Sequence, residues 1–279
     1  MINCDWLKNI NDSTPISNLA LLGTHHSATG CKWNKYDFLG KVCNFIVKHQ
    51  NKTINEQLTK GIRFLDINLN NCNNDLYVCS NFSNINILFS DIIRDCIDFL
   101  DRYKSEFILI RIKKEECCDN INNSFNVILN KILQEYNDRI VISNKPQTVK
   151  SLRGKIMITS IENINHDYNF PPQYGFTNYS RKGDDNSCFK QYLDIVKTDL
   201  DDTSWEKDIL CIIECGCVGS IPLFEKIPLA KNIPWPKRSA NKINNMLKEY
   251  YNTTKISNCI MLCDFVDDEL INLMIKSNF

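Results

Sequence analysis

The chain has 279 residues, 43% of them hydrophobic and 24% charged, which supplies enough apolar material for one large α/β core. Its 33 basic and 33 acidic side chains cancel, so no basic field exists to attract nucleic acid, and that partner class is set aside. No run of about 18 apolar residues occurs, which excludes a membrane-spanning helix.

Taken in chain order, Leu19-Ala20-Leu21-Leu22 reads as a strand ending at Gly23, Ile62 to Leu69 as a second and Leu76 to Val78 as a short third. Leu88 to Tyr103 has helical spacing through Ile92, Ile93, Cys96, Ile97 and Leu100. Strands follow at Phe107–Ile112, Ile140–Ile142, Lys155–Thr159, Ile209–Ile213 and Cys259–Leu262. Helices are predicted at 125–136, about 238–251 and 267–276. The polar, aromatic stretch 163–190, with Pro171-Pro172, reads as a long loop. Strands and helices alternate with short connections, which predicts a mostly parallel sheet, closed at this length into a (β/α)8-type barrel. An open doubly wound sheet is the competing architecture, but its glycine-rich phosphate fingerprint is missing after the first strand. With no linker and no repeat, residues 1–279 are expected to form a single domain.

The 14 cysteines do not form a disulfide framework by spacing. The Met1 end has no apolar signal core, so a cytoplasmic location with reduced thiols is expected. Cys117-Cys118 and Cys215-Gly216-Cys217 lack zinc-ligand spacing, and neither a metal nor a cofactor is expected.

In α/β barrels, reactive side chains leave the C-terminal ends of strands. Those ends carry His25 and His26, then Arg63, Asp66 and Asn68, then Cys79, then Lys113 and Glu115, and finally Asp264. Each alone has an ordinary structural explanation. Asp66 is equally able to pair with Arg63 or a lysine, and either Asp264 or Asp267 suits the cap of the last helix.

Together, Gly23-Thr24-His25, Gln57-Leu58-x-x-Gly61-Ile62-Arg63-Phe64-x-Asp66, Lys113-Lys114-Glu115, Arg153-Gly154-Lys155 and Cys263-Asp264-Phe265 resemble the X region of phosphatidylinositol-specific phospholipases C. The resemblance is nearest to the metal-independent bacterial type, and it implies a distorted TIM barrel. It also implies a reaction in which the inositol 2-hydroxyl of an inositol phospholipid attacks its own phosphodiester. His25 then matches the general base and Asp264 the carboxylate that orients it. The matched acid pair departs from the family: His26 stands where an Asp is expected, and Cys79 where the second His is expected. Two readings stay open: His26 takes over as acid, or the barrel binds its phosphodiester without turnover. Arg63, Asn68, Lys113 and Glu115 are the expected phosphate and substrate contacts, with Asp194 assigned to the inositol ring. Calcium, which animal-type members bind near Asp66, Asn68 and Lys113, is not expected. Segments 31–49 and 221–238 mix aromatic, aliphatic and basic residues, as suits peripheral contact with an anionic membrane surface.

Overall fold

The computed structural model describes residues 4–80, 83–115, 125–143, 145–160, 173–175, 210–216, 236–254 and 256–279, together with 194, 196 and 198. At its centre, β1 (Ala20–Thr24) lies parallel to β10 (Cys259–Cys263) on one side and to β2 (Phe64–Cys72) on the other. Beyond β2 come β5 (Ile108–Lys114), β7 (Ile156–Ser160) and the short β6 (Ile140–Val141), all parallel. Beyond β10 come β9 (Cys211–Glu214) and β8 (Gln173–Gly175), again parallel. The neighbour order is β6-β7-β5-β2-β1-β10-β9-β8. Among the described residues no ladder joins β6 to β8.

β1 and β10 are buried along their whole length, as strands covered on both faces must be, and both are nearly continuous apolar runs. The helices supply one cover. In α4 (Phe89–Arg102), the side chains of Phe89, Ile92, Ile93, Cys96, Phe99 and Leu100 are buried along one stripe. α3 (Ile54–Lys60) packs on α4 and is bounded by a Thr53–Glu56 capping box and by Gly61 at φ 116. The shorter α1 (Phe38–Val42), α2 (Asn44–Val47) and α6 (Val149–Leu152) sit in connections, and α5 (Phe125–Glu135) follows β5. α7 (Pro236–Thr253) packs on α8 (Asp268–Lys276), whose cap is Asp267 rather than Asp264.

Two departures from the sequence reading bear on the site. The first is an antiparallel hairpin, β3 (Asp75–Ser80) and β4 (Ser83–Leu88), of which only β3 was expected. Asn73 and Asn74, at φ 52 and 62, make the two-residue turn that links β2 to β3. The register of β3 against β4 shifts between Tyr77 and Cys79, a bulge that re-aims the Cys79 end of the strand. The second is β8, which falls inside the stretch read as loop. The rest of 163–190 lies outside the described residues.

Candidate active site

The site is built at the C-terminal ends of β1, β2, β5, β9 and β10. Its frame explains why two separated sequence motifs occur together. Gln57 is fully buried in α3: its Oε1 accepts from Thr24 Oγ1 at 2.6 Å, and its Nε2 donates to Ser27 O at 2.8 Å. One amide thus pins the turn that presents His25. Gln50 Nε2 donates to the carbonyls of His25 and Cys263, both at 2.9 Å, and locks that turn to the end of β10. Thr29 Oγ1 donates to His26 O at 2.7 Å and accepts from the backbone N–H groups of His49 and Gln50 at 3.0 and 3.1 Å. The chain therefore leaves the site at His26, runs through 31–48, and returns to it at His49.

His25 and Asp264, 239 positions apart in sequence, are joined by a hydrogen bond from Nδ1 to Oδ1 of 2.9 Å. His49, which the sequence reading did not single out, donates its own Nδ1 to the same oxygen at 2.9 Å. A buried carboxylate only accepts, so both imidazoles carry a proton on Nδ1, and in the neutral ring Nε2 is then the lone pair. Burial alone would raise the Asp264 pKa, but the imidazoles of His49 and His25 and their hydrogen bonds outweigh it and hold the carboxyl down at about 2. Burial alone would lower His25, and the Asp264 charge and hydrogen bond reverse that, so its net shift is upward from 6.5. Gly216 closes this side. A methyl group there would stand 3.0 Å from His25 Nδ1 and 3.3 Å from Asp264 Oδ2, so the close approach requires glycine.

His26 is different. It holds a left-handed backbone at φ 45, with its ring 4.3 Å from that of His25 and stacked 4.5 Å from that of His49. Burial and the neighbouring charges of His25, His49, Lys113 and Arg111 push it well below 6.5. Its ring sits beside those of His25 and His49, on the base side of the site rather than across from it.

On the other side, register alone sets Asp66 opposite Arg111 and Asn68 opposite Lys113. Arg111 Nε donates to Asp66 Oδ1 at 2.7 Å and its Nη1 to Glu214 Oε1 at 2.8 Å. Asp66 therefore pairs with Arg111, not with Arg63 or a lysine. Burial would raise Asp66, but Arg111 foremost, then His25, brings it below 3.8. Glu115 gathers the remainder: it accepts from Asn68 Nδ2, its carboxylate lies 3.9 Å from Cys79 Sγ, and Lys113 Nζ stands 3.6 Å away. Lys113 is 40% exposed and reaches the mouth.

Two expected contacts fall elsewhere. Arg63 immediately precedes β2 at the opposite end from the site, fully buried, bonded twice to Glu106 Oε2 and to the carbonyls of Leu58, Ile62 and Cys4. These bonds brace the barrel floor, away from the imidazoles. Asp194 is solvent-exposed on a helical turn, its carbonyl accepting from Thr198 Oγ1 at 2.8 Å, and among the described residues no contact joins it to the imidazoles.

Arg111, Glu214 and His49 are the functional residues that the sequence reading missed. A cation inside the run Ile108-Leu109-Ile110-Arg111-Ile112 was the available signal, because a buried guanidinium requires carboxylate partners. For His49 the signal was scarcity: the chain has four His, and three of them converge. Calcium finds no cage here. It takes roughly six to eight oxygens, while the Asp66 carboxylate is committed to Arg111, Asn68 to Glu115, and Lys113 adds a cation.

The family model described as phosphatidylinositol-specific phospholipase C, X domain, matches residues 35–161. Over those residues, just under half of the chain, the sequence is similar to that X domain. The matched stretch holds Asp66, Asn68, Cys79, Arg111 and Lys113, whereas His25, His26 and Asp264 lie outside it. The fold of the whole chain is that of bacterial phosphatidylinositol-specific phospholipases C. The Listeria monocytogenes enzyme superposes with a TM-score of 0.80 at 21% identity, covering 100% of both chains. A Staphylococcus aureus enzyme gives 0.79 at 18% identity, covering 100% of this chain and 98% of the other. At these identities the likeness establishes the fold alone. No curated protein sequence matches the chain.

Proposed function

We propose that the chain, over residues 1–279, is a phosphoric diester hydrolase or lyase of the phospholipase C type that acts on inositol phospholipids. The observation that carries this reading is the His25–Asp264 bond at the mouth of a barrel whose X region matches that family. In this reading, His25 Nε2 removes the proton from the inositol 2-hydroxyl, and that oxygen attacks phosphorus. The bond from phosphorus to the glycerol oxygen breaks, giving diacylglycerol and a cyclic inositol phosphate. Asp264 stabilises the imidazolium as it forms, and Lys113 stands nearest to the developing phosphoryl charge.

The departing glycerol oxygen needs a proton as it leaves, and the acid position holds Cys79. A thiol, with an ordinary pKa of about 8.5, is a weak proton relay. That observation favours a second reading, a barrel that binds the inositol lipid but turns it over poorly or not at all.

The approach to lipid is supported by exposure. Of the eight large exposed hydrophobics among the described residues, five (Trp33, Phe38, Leu39, Val42 and Phe45) lie within 31–49, with Phe38 78% exposed. Lys32 and Lys35 are exposed beside them. Apolar side chains of a segment packed as core would be covered, so this one suits insertion into an anionic bilayer. The second segment, 221–238, lies outside the described residues except at the start of α7. Among the described residues no helix is long and apolar enough to cross a membrane. For the Staphylococcus aureus phosphatidylinositol-specific phospholipase C, membrane binding and its modulation are described.

The test uses two substrates: phosphatidylinositol vesicles, and an inositol phosphodiester with an aryl leaving group that departs unprotonated. A working base with a weak acid cleaves the aryl diester readily and the lipid slowly. Binding of vesicles with cleavage of neither substrate establishes the second reading.

A further inference from the structure

We propose that His25, His26 and His49 form a binding site for one borderline divalent transition-metal ion of the zinc type. One ligand nitrogen from each ring lies within 4.8 Å of the others, where the turn after β1 meets the segment that returns at His49. His26 and His49 are 7% and 5% exposed, and His26 Nδ1 and His49 Nε2 are buried with no hydrogen-bond partner among the described residues. Buried polar nitrogens are ordinarily satisfied, and two unsatisfied imidazole nitrogens in one cluster point to a missing electrophile.

The arrangement around them is that of ligands held for a metal. Asp264 Oδ1 accepts Nδ1–H from both His25 and His49 at 2.9 Å. A carboxylate behind the ring fixes the tautomer, aims Nε2 and raises its basicity, as outer-shell carboxylates do for metal-bound histidines. Three neutral imidazoles suit zinc, nickel or copper(II) rather than calcium or magnesium, which demand oxygen. Zinc–nitrogen bonds of about 2.0–2.1 Å place tetrahedral ligands about 3.3 Å apart, so the cluster must contract. His26 supplies that movement: its Nδ1 has no bond to give up, and its ring turns out of the stack on His49 so that both lone pairs converge on the ion. The His25 side chain is 14% exposed, so it leaves an entry path and an open fourth position.

One consequence rests on the proposed function. The ion takes His25 Nε2, the atom assigned as general base, so ion and lipid chemistry exclude each other and the ion is an inhibitor of cleavage. The binding site itself does not depend on that reading.

The experiment titrates the metal-stripped full chain with Co2+ and follows the visible d–d bands of a tetrahedral nitrogen site, with Zn2+ as competitor. One equivalent is expected to bind without the sulfur charge-transfer band that thiolates give. His49→Ala and His26→Ala, each checked for fold by circular dichroism, are expected to weaken binding by tenfold or more. Asp264→Asn is expected to weaken it about 10–100-fold. X-ray absorption on the zinc-loaded wild type requires no variant to fold: three imidazole nitrogens support the site, and sulfur scatterers overturn it. No Co2+ binding at millimolar concentration, or full binding by a folded His49→Ala, also overturns it. Lipid cleavage is measured separately. Cleavage without metal binding removes the metal site and leaves the phosphodiesterase, and the opposite result does the reverse.

Discussion

The two sides of the barrel mouth have been treated differently. On one side His25, Asp264, His49, Gln50 and Gly216 form a set in which each imidazole tautomer and ring position is specified. On the other, where an acid pair is expected, Cys79, Asn68 and Lys113 all turn to Glu115. That second side is a bonded set of its own, centred on a carboxylate rather than on an imidazole. The difference teaches that the two sides of the mouth are built from different chemistry, imidazoles sharing one carboxylate on the first and a carboxylate with its own donors on the second.

The largest expected effect breaks the intact side. His25→Ala should lower turnover of both the aryl diester and the lipid by about 10^2–10^4-fold, measured as cyclic inositol phosphate released. If only the lipid rate falls, the assignment of base and acid sides is reversed.

Nearly as large is a control that belongs to neither side. Glu106→Ala leaves the Arg63 guanidinium buried without its carboxylate and should cost about 3–5 kcal/mol in urea unfolding. The KM of the folded fraction should not move. A changed KM would return Arg63 to the site.

Cys79→His sharpens the comparison. An imidazole placed on the Glu115 side should raise lipid turnover by about 10^2-fold and leave the aryl diester unchanged. Gly216→Ala should cost about tenfold on both substrates, because the new methyl displaces His25 from its aligned position.

The smallest effect is in the pH profile. Since Asp264 raises His25 above 6.5, the acid limb of kcat/KM should lie above pH 6.5, and Asp264→Asn should move it downward. Stability follows the same pair. The raised His25 contributes fully below pH 6.5, and its contribution is lost as pH rises through the folded value. The depressed Asp264 contributes above 3.8, and its contribution is lost as pH falls through about 2. Melting temperatures across pH 2–9 for wild type and Asp264→Asn check both signs.

Much of this was legible in the sequence, and the reasons are physical. Fully buried strands such as β1 and β10 announce themselves as apolar runs, and the helical stripe of α4 by its period. The hairpin strand β4 did not, because Ser83-Asn84-Ile85-Asn86 places two asparagines in a strand and reads as turn. His25 and Asp264 were readable because both lie at strand ends in recognisable motifs. His49 was not, because its role depends on where an irregular excursion returns, which no local pattern encodes. The depressed pKa of His26 depends on its burial, then on the two rings of His25 and His49 and on Lys113 and Arg111, which meet only in the fold.

That excursion has a mechanical consequence. Residues 31–48 are anchored beside the stacked rings of His26 and His49 and again at β4, where Asp37 accepts from the Asn84 N–H and from Ser83 Oγ. Phe38, Leu39, Val42 and Phe45 are thus held out from the mouth by a braced loop rather than by a free arm.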